Sequence, residues 1–201
     1  GNNYGALLQY FYLKKFIKEN FEKKKVNFFR YQPKELIFRE EYSPIIKKNP
    51  LKVFDGLVRF RRLRKWKKDN ISSKFTYQKT TSTLDKEISI YGSDEIWNFA
   101  NPFFGYDNYF FGKYDENYKI SYAASFGSAK AENLNSTSKE EIKKLINKFS
   151  FLSVRDESSW KILNSEFNFK SEIVLDPTFL INENHLLDKK KDDGKICIIY
   201  G

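Results

Sequence analysis

The sequence predicts an α/β fold: a parallel sheet with helices on both faces. Three observations carry that expectation. Short apolar runs alternate with segments of helical periodicity, in the order strand, helix, strand, helix, strand. The short runs mostly stop at Gly, Ser or Asp, as strands do where they enter loops. The 201 residues also include 20 Phe, 13 Tyr and 3 Trp, enough aromatic bulk for a sizeable core and too much for a disordered chain.

From Ala6 to about Lys24, apolar residues recur at Leu7, Leu8, Phe11, Leu13, Phe16, Ile17 and Phe21, spacings that place one buried side on a helix. Lys25–Tyr31 reads as a strand stopped by Pro33. Residues 34–86 read as a helical insertion, with Val53–Trp66 helical and Pro44 and Pro50 as punctuation. Glu87–Tyr91 is a strand ended by Gly92-Ser93-Asp94, and Lys119–Ala124 is the next, ended by Ser125-Phe126-Gly127. Ser138 is the expected cap of a helix whose buried stripe is Ile142, Leu145, Ile146 and Phe149. Phe151–Val154 is a strand, Asp156 to about Leu163 a helix, and Ile173–Leu175 a strand stopped by Asp176-Pro177. Residues 1–181 then form one domain, 182–194 a charged linker, and 195–201 the first strand of a second domain. A helix with no strand before it and a final strand with no successor give the expectation that the protein is longer at both ends.

In open parallel sheets ligands bind beyond the carboxyl ends of the strands, where loops and helix N-termini converge. Four blocks occupy such positions. Gly1-Asn2-Asn3-Tyr4-Gly5 is a glycine loop leading into a helix, suited to close approach of an anion or simply to a capped turn. Ser93 and Asp94 present a hydroxyl and a carboxylate, for a sugar hydroxyl, a basic partner or a turn cap, with Ile96 and Trp97 as anchors. Ser125 and the amides after it are candidate donors to a phosphate or carboxylate, whereas Ala123 and Ala124 are explained by tight packing. Arg155, between a strand end and a helix start, has the planar fork that grips a carboxylate or phosphate, or pairs with Asp156 or Asp176.

These blocks, taken in order, resemble the polysaccharide pyruvyl transferase family. The resemblance rests on Gly1–Gln9, Gly92–Asn98, Ser121–Gly127, Ser153–Glu157 and Val174–Thr178, spread over nearly the whole chain. Two positions depart from the family pattern, Glu95 in place of its usual Gln and Asp156 in place of a frequent Glu. The resemblance implies a Rossmann-like N-terminal half of a two-domain, GT-B-like enzyme with its site between the halves. It also implies phosphoenolpyruvate as donor, with no further cofactor. The pyruvyl group passes to two hydroxyls of a saccharide acceptor, free, nucleotide-linked or lipid-linked. The substrate-binding candidates are Asn2, Asn3, Tyr4, Gly5, Ser93, Asp94, Ser125 and Arg155. No catalytic residue is assigned to this half, since the family's histidine acid belongs to the other and His185 matches no such motif. The fragment alone is then expected to be inactive.

Other classes are weighed by composition. One Cys and one His, Cys197 and His185, leave no disulfide framework, no metal set and no Ser-His-Asp assembly. No apolar stretch approaches a bilayer span, and a cytoplasmic protein follows, with peripheral membrane contact open. The net charge of +10 is concentrated: between Lys47 and Asn70, ten basic residues face two acids. That stretch points to a local anionic partner: through Phe60–Lys68 with its interleaved aromatics it suits nucleic acid, the less favoured reading, beside a solvated helix face or one facing an anionic membrane or a lipid-linked acceptor. A nucleotide-sugar glycosyltransferase of GT-B type is the alternative that keeps the fold.

Overall fold

The computed structural model describes residues 4–21, 26, 50–70, 88–102 and 105–182. Helix α1 spans Tyr4–Asn20 and α2 spans Pro50–Asn70. The strands are β1, Ile88–Tyr91; β2, Tyr118–Ser121; β3, Phe149–Phe151; β4, Ser153–Val154; and β5, Glu172–Ile173. Between β2 and β3 lies α3, Ser136–Ile146, and after β4 comes α4, Glu157–Lys161, which continues as a π turn over Ile162–Glu166. The proposed strand Lys25–Tyr31, the linker, the closing strand, His185 and Cys197 lie outside the described residues, as do both flanks of α2 within the proposed insertion.

All pairings are parallel. β1 lies beside β2 with Ile88 opposite Tyr118 and Tyr91 opposite Ser121; β2 lies beside β3, and β4 beside β5. The Ala124–Val154 bridge joins the two pieces, so the four chain segments run side by side and end along one edge. The alternation read from the sequence is therefore an α/β sheet. Its packed face is a core of Trp97, Phe111, Phe126, Ile142, Ile146, Leu163 and Phe167, covered by α3 and the α4 region. On the opposite face Ile88 (62% exposed), Ile90, Tyr118 and Phe151 are not buried by any described residue, and Ile173 of β5 is also exposed.

Local chemistry explains where the elements differ from expectation. β2 stops at Ser121, not Ala124, because Ala123 takes a left-handed φ of 51° and breaks the ladder. A hydroxyl clasp replaces the missing ladder bonds. Ser121 Oγ donates to the Ser153 carbonyl (2.9 Å) and Ser153 Oγ to the Ser121 carbonyl (2.8 Å), while the amides of Ser153 and Ala123 donate to those same hydroxyls. Both buried hydroxyls are thereby satisfied as donors and acceptors. The predicted Phe151–Val154 strand is divided at Leu152 into β3 and β4. Asn135, not Ser138, caps α3: its side chain accepts from the Ser138 amide at 2.8 Å, the usual cap-to-third-residue bond. Phe149 belongs to β3, yet its ring still joins the same core.

α1 is the connector. Phe11 meets Trp66 of α2 at 5.8 Å between centroids, and buried Lys14 donates to the Asn70 carbonyl at 3.4 Å, a cation on a helix C-terminus. Its opposite side packs on the Pro177–Phe179 turn, at the carboxyl edge of the sheet. Among the described residues, no helix is long and apolar enough to cross a membrane.

Candidate functional site

The carboxyl ends of the four segments converge on Arg155. Its Nη1 donates to the Ser93 carbonyl, the end of β1, at 3.1 Å. Three carboxylates surround it: Asp176 after β5 at 3.8 Å, Glu95 at 3.9 Å and Asp156 at 4.0 Å. All three lie beyond hydrogen-bond length, so they balance its charge without consuming its N–H groups. The side chain is 24% exposed, so a partner can reach it. Both readings of Arg155 from sequence are therefore compatible: it stands among Asp156 and Asp176 and keeps donors to offer.

Loop geometry at β1 depends on Gly92. Its φ is +134°, and a Cβ there would strike the Tyr122 carbonyl oxygen, a backbone atom that cannot give way. Close approach of the two strand ends thus requires glycine. Ser93 is 5% exposed and its Oγ has no partner among the described residues, a rare condition for a buried hydroxyl. The Asp94 carbonyl accepts from the Ser125 amide at 3.2 Å, tying the β1 loop to the β2 loop. Trp97 anchors the segment as expected, fully buried, with its Nε1 donating to the Phe110 carbonyl at 3.0 Å.

The Ser125 loop is committed to the protein itself. The amides of Ser125, Phe126 and Gly127 donate to the Asp94 carbonyl, Ser159 Oγ and Ser125 Oγ. Amides anticipated as anion donors are therefore occupied by the loop's own turns. Asp156 caps α4, accepting from the Ser159 amide at 2.8 Å and from Ser158 Oγ at 2.7 Å. Burial alone would raise the Asp156 carboxyl, but bonds from Ser125, Ser158 and Ser159 outweigh it and hold the group below its ordinary 3.8. A depressed folded value gives stability that is present above the unfolded pKa and lost as pH falls through the folded one. Asp156→Asn, which retains capping ability, should therefore flatten the decline in urea midpoint below about pH 4. An unchanged acid limb in that titration would deny Asp156 this role.

Of the remaining sequence candidates, Asn2 and Asn3 lie outside the described residues. Tyr4 and Gly5 belong to the first turn of α1, not to the preceding loop, a correction with a simple cause. First-turn amides need no intrahelical acceptor, so the helix can begin early and accommodate Gly5. Sequence reasoning passed over Gln9. Its Nε2 donates to Asp176 Oδ2 in a short hydrogen bond, and its Oε1 is buried and has no partner among the described residues. The available signal was a lone amide between Leu8 and Phe11 in an otherwise apolar helix face. Asp176 is thus shared, facing Arg155 and Gln9 with one oxygen while the other accepts from the Thr178 amide and hydroxyl. Among the described residues no group of three or more His, Cys, Asp or Glu is placed to hold a metal ion.

A family model described as polysaccharide pyruvyl transferase matches residues 3–200. The chain belongs to the polysaccharide pyruvyl transferase family. No curated protein and no solved structure matches it. As a polysaccharide pyruvyl transferase family member it falls among transferases acting in polysaccharide pyruvylation. The strand-end segments that carried the resemblance, from Gly92, Ser121, Ser153 and Val174, meet along this one edge.

Proposed function

We propose that the chain takes part in moving a pyruvyl group from phosphoenolpyruvate to two hydroxyls of a saccharide, closing a cyclic ketal. The observation that carries this reading is the convergence of four strand ends on Arg155 in a chain of this family. The donor bears a carboxylate and a phosphate, and a guanidinium fork with uncommitted N–H groups suits either. In the balanced reaction a proton adds to the methylene carbon and the first hydroxyl oxygen bonds to the adjacent carbon. The second hydroxyl oxygen then displaces phosphate from that carbon. Of the two hydroxyl protons lost, one offsets the proton taken up by carbon and the other leaves with phosphate.

Arg155 would hold the anionic donor and stabilise charge gathering on the departing phosphate. Ser93, buried with a free hydroxyl beside it, would supply a further donor, and Asp94 would orient an acceptor hydroxyl. The Gly1–Gly5 segment would add backbone contacts from the helix side. In this reading the edge is one wall of a GT-B-like cleft, and the proton for carbon comes from the facing wall. The test is phosphate release from phosphoenolpyruvate by the full-length protein carrying this sequence, with and without a saccharide acceptor. Acceptor-dependent release together with acid-labile pyruvate on the sugar is expected. Consumption of a nucleotide sugar, with phosphoenolpyruvate untouched, would refute the proposal.

A further inference from the structure

The C-terminal part of helix α2, Arg61–Asn70, presents a face made almost entirely of cations. Arg61, Arg62, Arg64, Lys65 and Lys68 are all exposed, and at 100° per residue they fill an arc of about 160°. Leu63, buried, lies diametrically opposite their centre, with Asn70 and Trp66 beside it on the inner side. The inner side is held by α1 through Phe11 and Lys14. Asp69 is the one acid on the outer face, and none of the five cations forms an ion pair among the described residues. About 10 Å of helix thus carries five unneutralised charges toward solvent.

Like charges at this density repel one another and contribute nothing to the fold that polar residues would not, so the arrangement calls for an external anion. The structure also separates the two candidate partners. Interleaved Phe and Trp in the linear sequence suited base stacking, but Trp66 turns inward onto Phe11, so between Arg61 and Asn70 the cationic arc carries no aromatic side chain. Without a stacking platform, single-stranded nucleic acid loses half of what binds it. A lipid surface needs only charge. Nor does this stretch of the arc carry an apolar residue, so attachment through it would be electrostatic, shallow and reversible. α1 stands between this face and the Arg155 edge, since Gln9 reaches Asp176 while Phe11 and Lys14 reach α2. The two surfaces are therefore distinct.

We infer that the outer face of α2 docks the protein on a bilayer containing anionic phospholipid. The inference is independent of the pyruvyl-transfer reading. Each basic residue near such a surface is worth roughly a fivefold change in partitioning at low salt. Co-sedimentation of the full chain with phosphatidylglycerol vesicles is the direct test, with phosphatidylcholine vesicles as control. Binding to the anionic vesicles alone is expected, weakening as salt rises from about 0.05 to 0.3 M. The triple variant Arg61→Gln, Arg64→Gln, Lys65→Gln should lose about a hundredfold. Its thermal midpoint should not fall, because all three side chains are exposed and their mutual repulsion is relieved. Equal binding of wild type and variant, or no preference for anionic vesicles, would overturn the inference. So would tighter salt-sensitive retention of duplex oligonucleotide than of vesicles.

Discussion

Arg155→Ala in the full-length protein should lower kcat/KM for phosphoenolpyruvate by about two to three orders of magnitude. That is the usual consequence of removing one preorganised donor from a developing negative charge. The same substitution should cost only about 1–2 kcal/mol of stability, since one hydrogen bond to the Ser93 carbonyl is lost and the flanking carboxylates are partly solvated. Arg155→Lys separates geometry from charge. It retains the cation among Glu95, Asp156 and Asp176, so stability should stay near wild type, but one ammonium cannot hold the Ser93 carbonyl and grip a ligand bidentately. Turnover should therefore remain depressed in the lysine variant while its urea midpoint recovers. Wild-type kinetics in both variants would remove Arg155 from the donor site.

The strand ends were readable because their signals are local. Ile88–Tyr91 and the segments after it are apolar runs closed by Gly, Ser or Asp, and the carboxyl-edge rule then predicts that their loops meet. Arg155 was legible for the same reason, standing between a strand and a capped helix. What escaped is tertiary. The Ser121–Ser153 clasp joins hydroxyls 32 residues apart, and nothing within either segment distinguishes a serine that bonds to a neighbouring strand from one that faces water. Ala123 takes a left-handed φ that its residue type disfavours, because the neighbouring strand and Gly92 constrain it. Asn135 and Ser138 are both good caps, and only the observed bond decides between them. Gln9 illustrates the same limit at the site. A single amide among leucines reads as a surface residue until Asp176, 167 positions away, is placed against it.

Trp97→Ala is the substitution expected to damage the fold most. The indole is fully buried, with Phe126 at 5.3 Å, Phe149 at 5.7 Å and Phe111 at 6.0 Å between ring centroids. Loss of so large a side chain from a packed core costs about 3–5 kcal/mol, a large share of the total stability of a domain this size. Trp97→Phe divides that cost. It keeps an aromatic ring among its neighbours but leaves the Phe110 carbonyl without its indole donor, for about 1–2 kcal/mol. Because the Trp97 amide also donates to the Ser125 carbonyl at 3.1 Å, the cavity left by alanine lies directly beneath the junction of the β1 and β2 loops. Activity in Trp97→Ala should consequently fall at temperatures where circular dichroism still reports a folded chain, while Trp97→Phe should lose stability alone. If the alanine variant unfolded in urea at the wild-type midpoint, this indole could not be what fixes the strand ends around Arg155.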